Sequence, residues 1–341
     1  MEIKEYIREF TLKDVVKVRN PRVVAFGGGT GLSVILRGLK RYTNRVTAIV
    51  TMADDGGSSG MLREDLGMLP PGDIRNCILA LADDENVMQA LFNYRFEKGG
   101  LKGHNFGNLF LAAMSGISSD FYDAVLRTSD VLQITGRVLP VTLDNMILVG
   151  QLKNGTIIEG ESQIPKAAIN QKSRIEKIYL KDGKAQALPE TLEAIKEADI
   201  IIMGPGSLYT SLIPHLLVGG IEKAILDSHA KKFYIGNIMT QPGETIGYTQ
   251  RDHLQAIEKH QHLLDPEHPL FDDVIMNQSD FGSQVITRYQ HIGSKPVAIG
   301  EKIPYYHYIC DDFAIQDYGK VRHDADLLTK RIFKIYMGEE V

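Results

Sequence analysis

The chain has 341 residues, 43% of them hydrophobic and 24% charged, a composition that is typical of globular proteins and excludes disordered and fibrous classes. Its 38 basic and 43 acidic side chains give a formal net charge of -5, and no block of Lys and Arg marks a surface for nucleic acid or anionic lipid. No apolar run reaches the length of a membrane span, and the first segment lacks the apolar region of a signal peptide. We therefore expect a cytoplasmic protein with no nucleic-acid partner and no membrane insertion.

The cysteines and histidines do not predict a metal centre. Cys77 and Cys310 are the only cysteines, and neither belongs to a CxxC or Cys/His zinc pattern. This usage is typical of a reducing compartment. Four histidines occur near one predicted helix, and we expect a surface cluster there rather than a metal site: His253, His260, His262 and His268.

Hydrophobic periodicity predicts alternating strands and helices in the first part of the chain. A short amphipathic helix is expected over residues 3–10, where apolar residues repeat at helical spacing. The pattern then predicts a strand at 22–26, a glycine loop at 27–31, a helix at 32–42, a strand at 45–51 and a polar turn at 53–60. This order predicts a parallel sheet. Residues 73–132 carry several helical faces and predict a helical layer.

The hydrophobic pattern changes in the middle of the chain from alternating strands and helices to antiparallel strands, and then returns to the first pattern. Residues 136–180 predict antiparallel strands, with turn residues at 153–155 and 181–183. The remaining segments predict a helix at 190–197, strands at 199–203, 233–237 and 274–277, a helix at 251–261 and a closing helix at 325–336. We therefore expect an N-terminal helical extension over 1–20 and a single α/β domain over 21–341. The domain has a mostly parallel sheet flanked by helices and an antiparallel β insertion at about 136–186.

The run Gly27-Gly28-Gly29-Thr30-Gly31 joins a predicted strand to a predicted helix. Glycines let backbone N–H groups approach a phosphate, and a helix N-terminus adds a favourable partial charge. The dinucleotide fingerprint is incomplete, because Leu32 stands at its third glycine. We expect a phosphate-binding loop. The alternative is a tight structural turn.

Two further groups of residues follow predicted strands. Asp54 and Asp55 end the second strand, where carboxylates can accept ribose hydroxyls or hold a hydrated Mg²⁺; the alternative is a capped, solvated turn. Gly204, Gly206 and Ser207 form a second glycine loop that could clamp a nucleotide from the opposite side.

Asn105, in GHNFGN at 103–108, precedes an apolar helix. Its side chain fits a ligand contact and a helix N-cap equally well.

Seven ordered blocks of this chain together resemble the YvcK-type gluconeogenesis factors of the CofD-like family: GGGTGL at 27–32, MADDGGSSGMLR at 52–63, PPGDIRN at 70–76, GHNFGNLFLAAM at 103–114, GPGSLYTSLIPHLL at 204–217, NIMTQPGET at 237–245 and VRHD at 321–324. The resemblance extends from about Arg22 to the C-terminus. It implies a Rossmann-like α/β fold and a site for UDP-sugars such as UDP-N-acetylglucosamine. It also implies roles in gluconeogenic growth and in cell shape. By the same resemblance, Tyr289 and Arg322 contact the nucleotide sugar.

The enzymatic branch of that family contains 2-phospho-L-lactate transferase, which typically carries a GGTGG loop and a DNTGDD-like acidic block. This chain has GGGTG and ADDGGSSG at those positions. We therefore expect a UDP-sugar-binding regulatory protein that requires no cofactor. We also expect it to act on a protein partner and to form a homo-oligomer. Two alternatives stay open: a transferase that uses Mg²⁺ at a nucleotide diphosphate, with Asp54 and Asp55 as candidate catalytic or metal-binding residues, and an NAD-binding oxidoreductase.

Overall fold

The computed structural model describes residues 11–83, 86–317 and 319–339. The helix predicted over 3–10 lies outside these ranges. The first half contains α1 (Leu12–Arg19), β1 (Val23–Gly27), α2 (Gly29–Leu39), β2 (Val46–Val50), α3 (Gly57–Leu66), α4 (Gly72–Leu81), α5 (Asn86–Asn93), α6 (Phe106–Ile117) and α7 (Phe121–Val131). Then come β3 (Arg137–Pro140), β4 (Leu148–Leu152), β5 (Ile157–Glu159), α8 (Gln163–Asn170), β6 (Ile175–Leu180) and α9 (Pro189–Lys196).

The second half begins with β7 (Ile200–Met203), a π-helix (Leu208–Leu212), α10 (Ile213–Leu216), α11 (Ile221–Asp227) and β8 (Lys231–Ile235). It continues with α12 (Gln250–Lys259), β9 (Asp273–Asn277), α13 (Ser283–His291), β10 (His307–Asp311), β11 (Ala314–Asp317), β12 (Lys320–His323) and α14 (Ala325–Tyr336). None of the helices in the described ranges is both long and apolar enough to cross a bilayer.

The prediction of a parallel sheet is confirmed. Seven strands pair in parallel in the order β10-β9-β8-β7-β1-β2-β3. Every residue of β1, β2 and β7 is buried, because helices cover both faces of the sheet. Among the helices, α2 packs against α4 and α14. The helices α9 and α11 pack against each other.

The strand order reverses beside β1. The chain runs outward from β1 through β2 to β3, and later returns to place β7 on the other side of β1. In open α/β sheets a crevice forms outside the carboxyl ends of the strands at such a switch point, and ligands bind there. Both glycine loops follow the two strands at the switch.

The β-rich insertion starts later than predicted. β3 is not part of it: this strand extends the main sheet by pairing in parallel with β2. The insertion is the antiparallel sheet β5-β4-β6, together with α8. The turn at 153–155 does join two paired strands, β4 and β5, whereas the turn at 181–183 follows β6 and leads out of the insertion.

Two local predictions were wrong. The polar turn at 53–60 contains the start of α3, whose first residue, Gly57, has a positive φ of 48°, and the small residues after it continue as helix. The expected surface histidine cluster is half buried. His253 and His260 are buried, and His260 accepts a hydrogen bond from the backbone N–H of Ile178 at 2.9 Å, which ties α12 to the insertion.

Candidate functional site

A cavity of about 560 Å³ opens at the carboxyl edge of the sheet, at the switch point. Its lining comes from the loops after β1, β2, β7 and β8, from α4 and from the insertion; the C-terminal segments α13 and β12 complete it. The predicted site residues that line it are Gly28, Gly29, Thr30, Gly31, Asp54, Gly206, Ser207, Tyr289 and Arg322. Residues separated by nearly three hundred positions therefore share one cavity.

The first glycine loop contains the N-terminus of α2. Gly28 is the N-cap residue, and it has no side chain to accept from the first turn. Gly29 has a positive φ of 52°, a conformation that glycine adopts readily. An added Cβ at Gly31 would lie 2.2 Å from the carbonyl oxygen of Pro205. The two glycine loops are therefore in direct backbone contact.

A buried histidine contacts the end of β1, directly before the first glycine loop. The Nε2 atom of His215 lies 3.1 Å from the carbonyl oxygen of Gly27 and donates to it. Burial lowers the pKa of His215 to about 4, so the ring is neutral at physiological pH. Gly27 itself ends β1 and does not line the cavity. His215 lies in the GPGSLYTSLIPHLL block, but nothing in its local pattern predicted a contact with the first loop.

Asp73 contacts the first glycine loop, and it was not predicted as a site residue from the sequence. Its carboxyl group accepts a hydrogen bond from the Gly29 N–H, and an added Cβ at Gly28 would lie 2.5 Å from its Oδ2 atom. Burial, followed by the nearby Asp54 carboxylate, raises the pKa of Asp73 to about 7. An acidic group thus occupies part of the loop that an anion would use, and it is near half-protonation at neutral pH.

Asp54 and Asp55 face different cavities. Asp54 lines the main cavity, and its Oδ1 atom accepts from the N–H of Gly56 at 2.9 Å. Asp55 lines a second cavity of about 430 Å³, and its Oδ1 atom accepts from the N–H of Ser162 at 2.8 Å. Within the described ranges no group of three or more His, Cys, Asp or Glu side chains could hold a metal ion. The two carboxylates therefore do not share one cavity, and a hydrated Mg²⁺ held by Asp54 on a bound phosphate stays a prediction.

The second glycine loop supplies only its later residues to the cavity. Gly206 and Ser207 line it, and the Ser207 hydroxyl accepts a hydrogen bond from Gln241 Nε2 at 2.8 Å. Gly204 lies outside the lining, with a φ of 93° and with an added Cβ only 2.8 Å from the carbonyl oxygen of Ile235. Gly204 therefore serves the close packing of β7 on β8.

Asn105 is an N-cap and does not line the cavity. Its Oδ1 atom accepts from the N–H of Asn108 at 3.2 Å at the start of α6, and its own N–H donates to the hydroxyl of Ser58. Of the two interpretations of GHNFGN, the structure supports capping.

Tyr289 lies on α13 and Arg322 on β12, and both line the cavity together with the glycine loops. The Tyr289 hydroxyl accepts a hydrogen bond from the N–H of Val321 at 2.7 Å, which joins α13 to β12. His323 follows on the same strand and donates to the backbone carbonyl of Gly236, and burial lowers its pKa to about 4. Among the described residues that line the cavity, Arg322 is the one Lys or Arg.

Glu161, on the insertion, also lines the cavity and was not predicted. Its carboxyl group is hydrogen-bonded to Thr210, and burial, followed by the charge of Asp54, raises its pKa to about 8. Other lining residues that the sequence did not single out include Thr51, Ser211, Asn237, Thr240, Gln241 and Ser294. Asn237 had an available signal, because it is the last residue of the strand predicted over 233–237 and so stands at the same sheet edge as the glycine loops.

The fold and the position of the cavity define a Rossmann-like α/β protein with its candidate site at the sheet's switch point. The family model described as 2-phospho-L-lactate transferase CofD matches residues 23–313. The chain belongs to this family.

Curated relatives and a solved structure are similar over most of the chain. The gluconeogenesis factor of Halalkalibacterium halodurans is 45% identical over 321 residues, covering 93% of this chain and 97% of that one. The gluconeogenesis factor of Bacillus subtilis is 46% identical over 280 residues, covering 82% and 86%. A crystal structure of a UPF0052 family protein from Bacillus halodurans superposes with a TM-score of 0.86 at 45% identity, covering 92% of this chain and 99% of that chain.

Proposed function

We propose that this chain is a regulatory protein that binds a nucleotide-sugar diphosphate of the UDP-N-acetylglucosamine type. The observation that carries the proposal is the convergence of two glycine loops with Tyr289 and Arg322 around one cavity. The cavity volume, about 560 Å³, lies within the range of ligand sites for molecules of this size. By the names of its relatives, the role extends to growth on gluconeogenic carbon sources. A role in cell shape, through a protein partner, belongs to the same proposal.

Each part of the ligand has a counterpart in the cavity. The N–H groups at the start of α2 and those near Gly206 suit phosphate oxygens, since both loops begin helical segments. The guanidinium of Arg322 can bind a diphosphate with two parallel hydrogen bonds. The Tyr289 ring presents an aromatic surface at the same edge, which suits a base or a sugar.

Thermal unfolding with and without ligand tests the proposal. UDP-N-acetylglucosamine at millimolar concentration should raise the melting temperature, because a ligand that prefers the native state stabilises it. NAD is the matched comparison, since it offers a diphosphate with two nucleosides. A shift with NAD and none with the UDP-sugar would reject the proposal and favour the oxidoreductase.

The transferase alternative rests on the family model and on the acidic residues in the cavity. Asp54 and Glu161 lie where they could move protons during transfer at a phosphate. Incubation with UDP-sugars and Mg²⁺, followed by chromatography of the nucleotides, separates the two functions. A regulatory protein returns the nucleotide sugar intact, whereas release of UDP or UMP that is lost in Asp54→Asn would establish catalysis.

A further inference from the structure

A further cavity, of about 330 Å³, lies outside the main site, between the insertion and the loop that precedes α12. One wall comes from residues 168–174, at the end of α8 and in the segment that leads to β6. The opposite wall comes from residues 243–246. We call this cavity the outer groove, and it shares no described lining residue with the main cavity.

The two walls of the outer groove are held in place by contacts within the protein. An added Cβ at Gly243 would lie 2.4 Å from the carbonyl oxygen of Pro165, so the loop lies directly against α8. The next residue, Glu244, accepts hydrogen bonds from the N–H of Tyr209 at 2.9 Å and from the hydroxyl of Thr210 at 3.0 Å. The groove is therefore already formed in the free protein, which lowers the entropic cost of binding to it.

The two walls expose apolar surface to each other's side of the groove. Ile169, on α8, is 50% exposed, and Ile246, on the opposite wall, is 46% exposed. Exposed apolar side chains that line one concave surface are typical of interaction sites, whereas single exposed ones are common everywhere. An aliphatic side chain placed in the groove would remove surface of both isoleucines from water.

The charged groups at the groove are cationic. Lys172 and Arg174 are exposed, and neither forms an ion pair with another described side chain. The Cζ atom of Arg174 lies 5.6 Å from the ring centroid of Tyr248, which keeps its charge at the groove. The acids nearby are already engaged: Glu244 is buried and hydrogen-bonded, and Glu176 pairs with a lysine of α12. On a chain with a net charge of -5, this cationic site favours an anionic partner.

We propose that the outer groove docks an acidic segment of a partner protein. One aliphatic side chain of the segment lies between Ile169 and Ile246, and its carboxylates lie at Lys172 and Arg174. The cavity is at the small end of the range of ligand sites, so it suits one or two side chains and not a whole helix. Burial of the aliphatic side chain supplies most of the affinity, while the exposed ion pairs contribute little each and select the partner.

Methyl NMR of the full-length chain with a defined peptide tests the proposal. The isoleucine δ1 methyl groups carry ¹³C, and the two groove resonances are assigned with Ile169→Val and Ile246→Val. The acetylated and amidated peptide DELLDE at about 1 mM, a concentration suited to weak binding, should shift both resonances. The resonance of Ile157, exposed on β5 outside the groove, should not move. The peptides KRLLKR and DESSDE reverse the charge and remove the aliphatic side chains, and neither should cause a shift.

Charge reversal at the groove tests the electrostatic part of the proposal. The double variant Lys172→Glu, Arg174→Glu should bind DELLDE about tenfold more weakly at low ionic strength, since two attractions become repulsions. The matched control is Lys184→Glu, Lys196→Glu, which changes the net charge equally at exposed positions outside the groove. The control should bind like the wild type. Equal affinities of the two double variants would overturn the proposal.

Ile246→Ser tests the apolar part, with Ile157→Ser as the control. The groove variant should bind DELLDE about fivefold more weakly, and the control should bind like the wild type. No shift of the groove resonances with DELLDE, or equal shifts with KRLLKR, would overturn the proposal. Shifts that depend on protein concentration without peptide would also overturn it and would assign the groove to a second copy of this chain. None of these measurements uses a nucleotide sugar, so their outcome is independent of the proposed function.

Discussion

The floor and the cover of the cavity are built by different means. The floor consists of residues 28–31 and 205–207, two loops at strand ends that touch through their backbones. The cover consists of α13 and β12, and α13 has no buried residue. Substitutions in the floor should therefore change folding and binding together. Substitutions in the cover should change binding with little effect on the free energy of unfolding.

The largest effect is expected for Gly31→Ala. The new Cβ would lie 2.2 Å from the Pro205 carbonyl oxygen, and a backbone atom cannot move aside as a side chain can. We expect the free energy of unfolding to fall by about 3 kcal/mol, with loss of ligand binding. Urea denaturation measures this. Gly116→Ala is the matched helical control, because nothing lies within 4 Å of its added Cβ. A Gly31→Ala protein as stable as Gly116→Ala would refute the close contact of the loops.

Arg322→Ala should weaken UDP-sugar binding about tenfold to hundredfold, since a charge-assisted hydrogen bond contributes roughly 1.5 to 3 kcal/mol. The melting curve should be nearly unchanged, as expected for the cover. Lys320→Ala removes the same charge from the same strand at an exposed position outside the cavity. Calorimetry that finds equal affinities in the two variants would exclude Arg322 from the site.

Asp73→Asn tests the electrostatics beside the floor, where Asp73 contacts the first glycine loop. The pKa of Asp73 is raised to about 7, so the native state holds this proton where the unfolded state has lost it. The wild type therefore loses stability as pH rises from about 4 to 7, and the loss is complete above that window. The asparagine can still accept from Gly29 and should be more stable than the wild type at pH 8 by at least about 1 kcal/mol, the equivalent of one pKa unit. Urea denaturation at pH 5 and pH 8 measures this. The exposed Asp65→Asn serves as control, and a gain independent of pH would contradict the buried-proton interpretation.

The smallest effect is expected for Tyr289→Phe, which keeps the ring and removes the acceptor of the Val321 N–H. Losing this hydrogen bond within the cover costs about 1 kcal/mol, and affinity should fall by at most about fivefold, because the ligand must then hold α13 and β12 together itself. Surface plasmon resonance with immobilised protein can resolve this. Tyr94→Phe, at an exposed position, should bind like the wild type. A larger loss than in Arg322→Ala would reverse the order proposed for the cover.

Much of the floor could be predicted because its signals are local. An apolar strand, a run of glycines and an apolar helix occupy consecutive positions, and their order alone predicts a parallel sheet with both loops at one edge. The same local signals misplaced β3, since a strand of four residues does not reveal whether it joins the main sheet or the insertion. The pairing of Asp54 with Asp55 in one site was misplaced for a similar reason. Adjacent residues such as Asp54 and Asp55 can face different cavities.

The sequence by itself determined the α/β class and the two glycine loops. Through the family resemblance it also predicted Tyr289 and Arg322 as site residues, and both line the cavity. Only the tertiary structure decided that Asp73 sits against the first loop and that Glu161 reaches the same cavity from the insertion. Neither acid follows a strand of the main sheet or stands in a pattern with a recognised role. The placement of Asp73 and Glu161 in one cavity depends on strand order and on packing between segments far apart in the chain. The pKa values of both acids depend on that placement, because burial and a neighbouring carboxylate exist only in the folded protein.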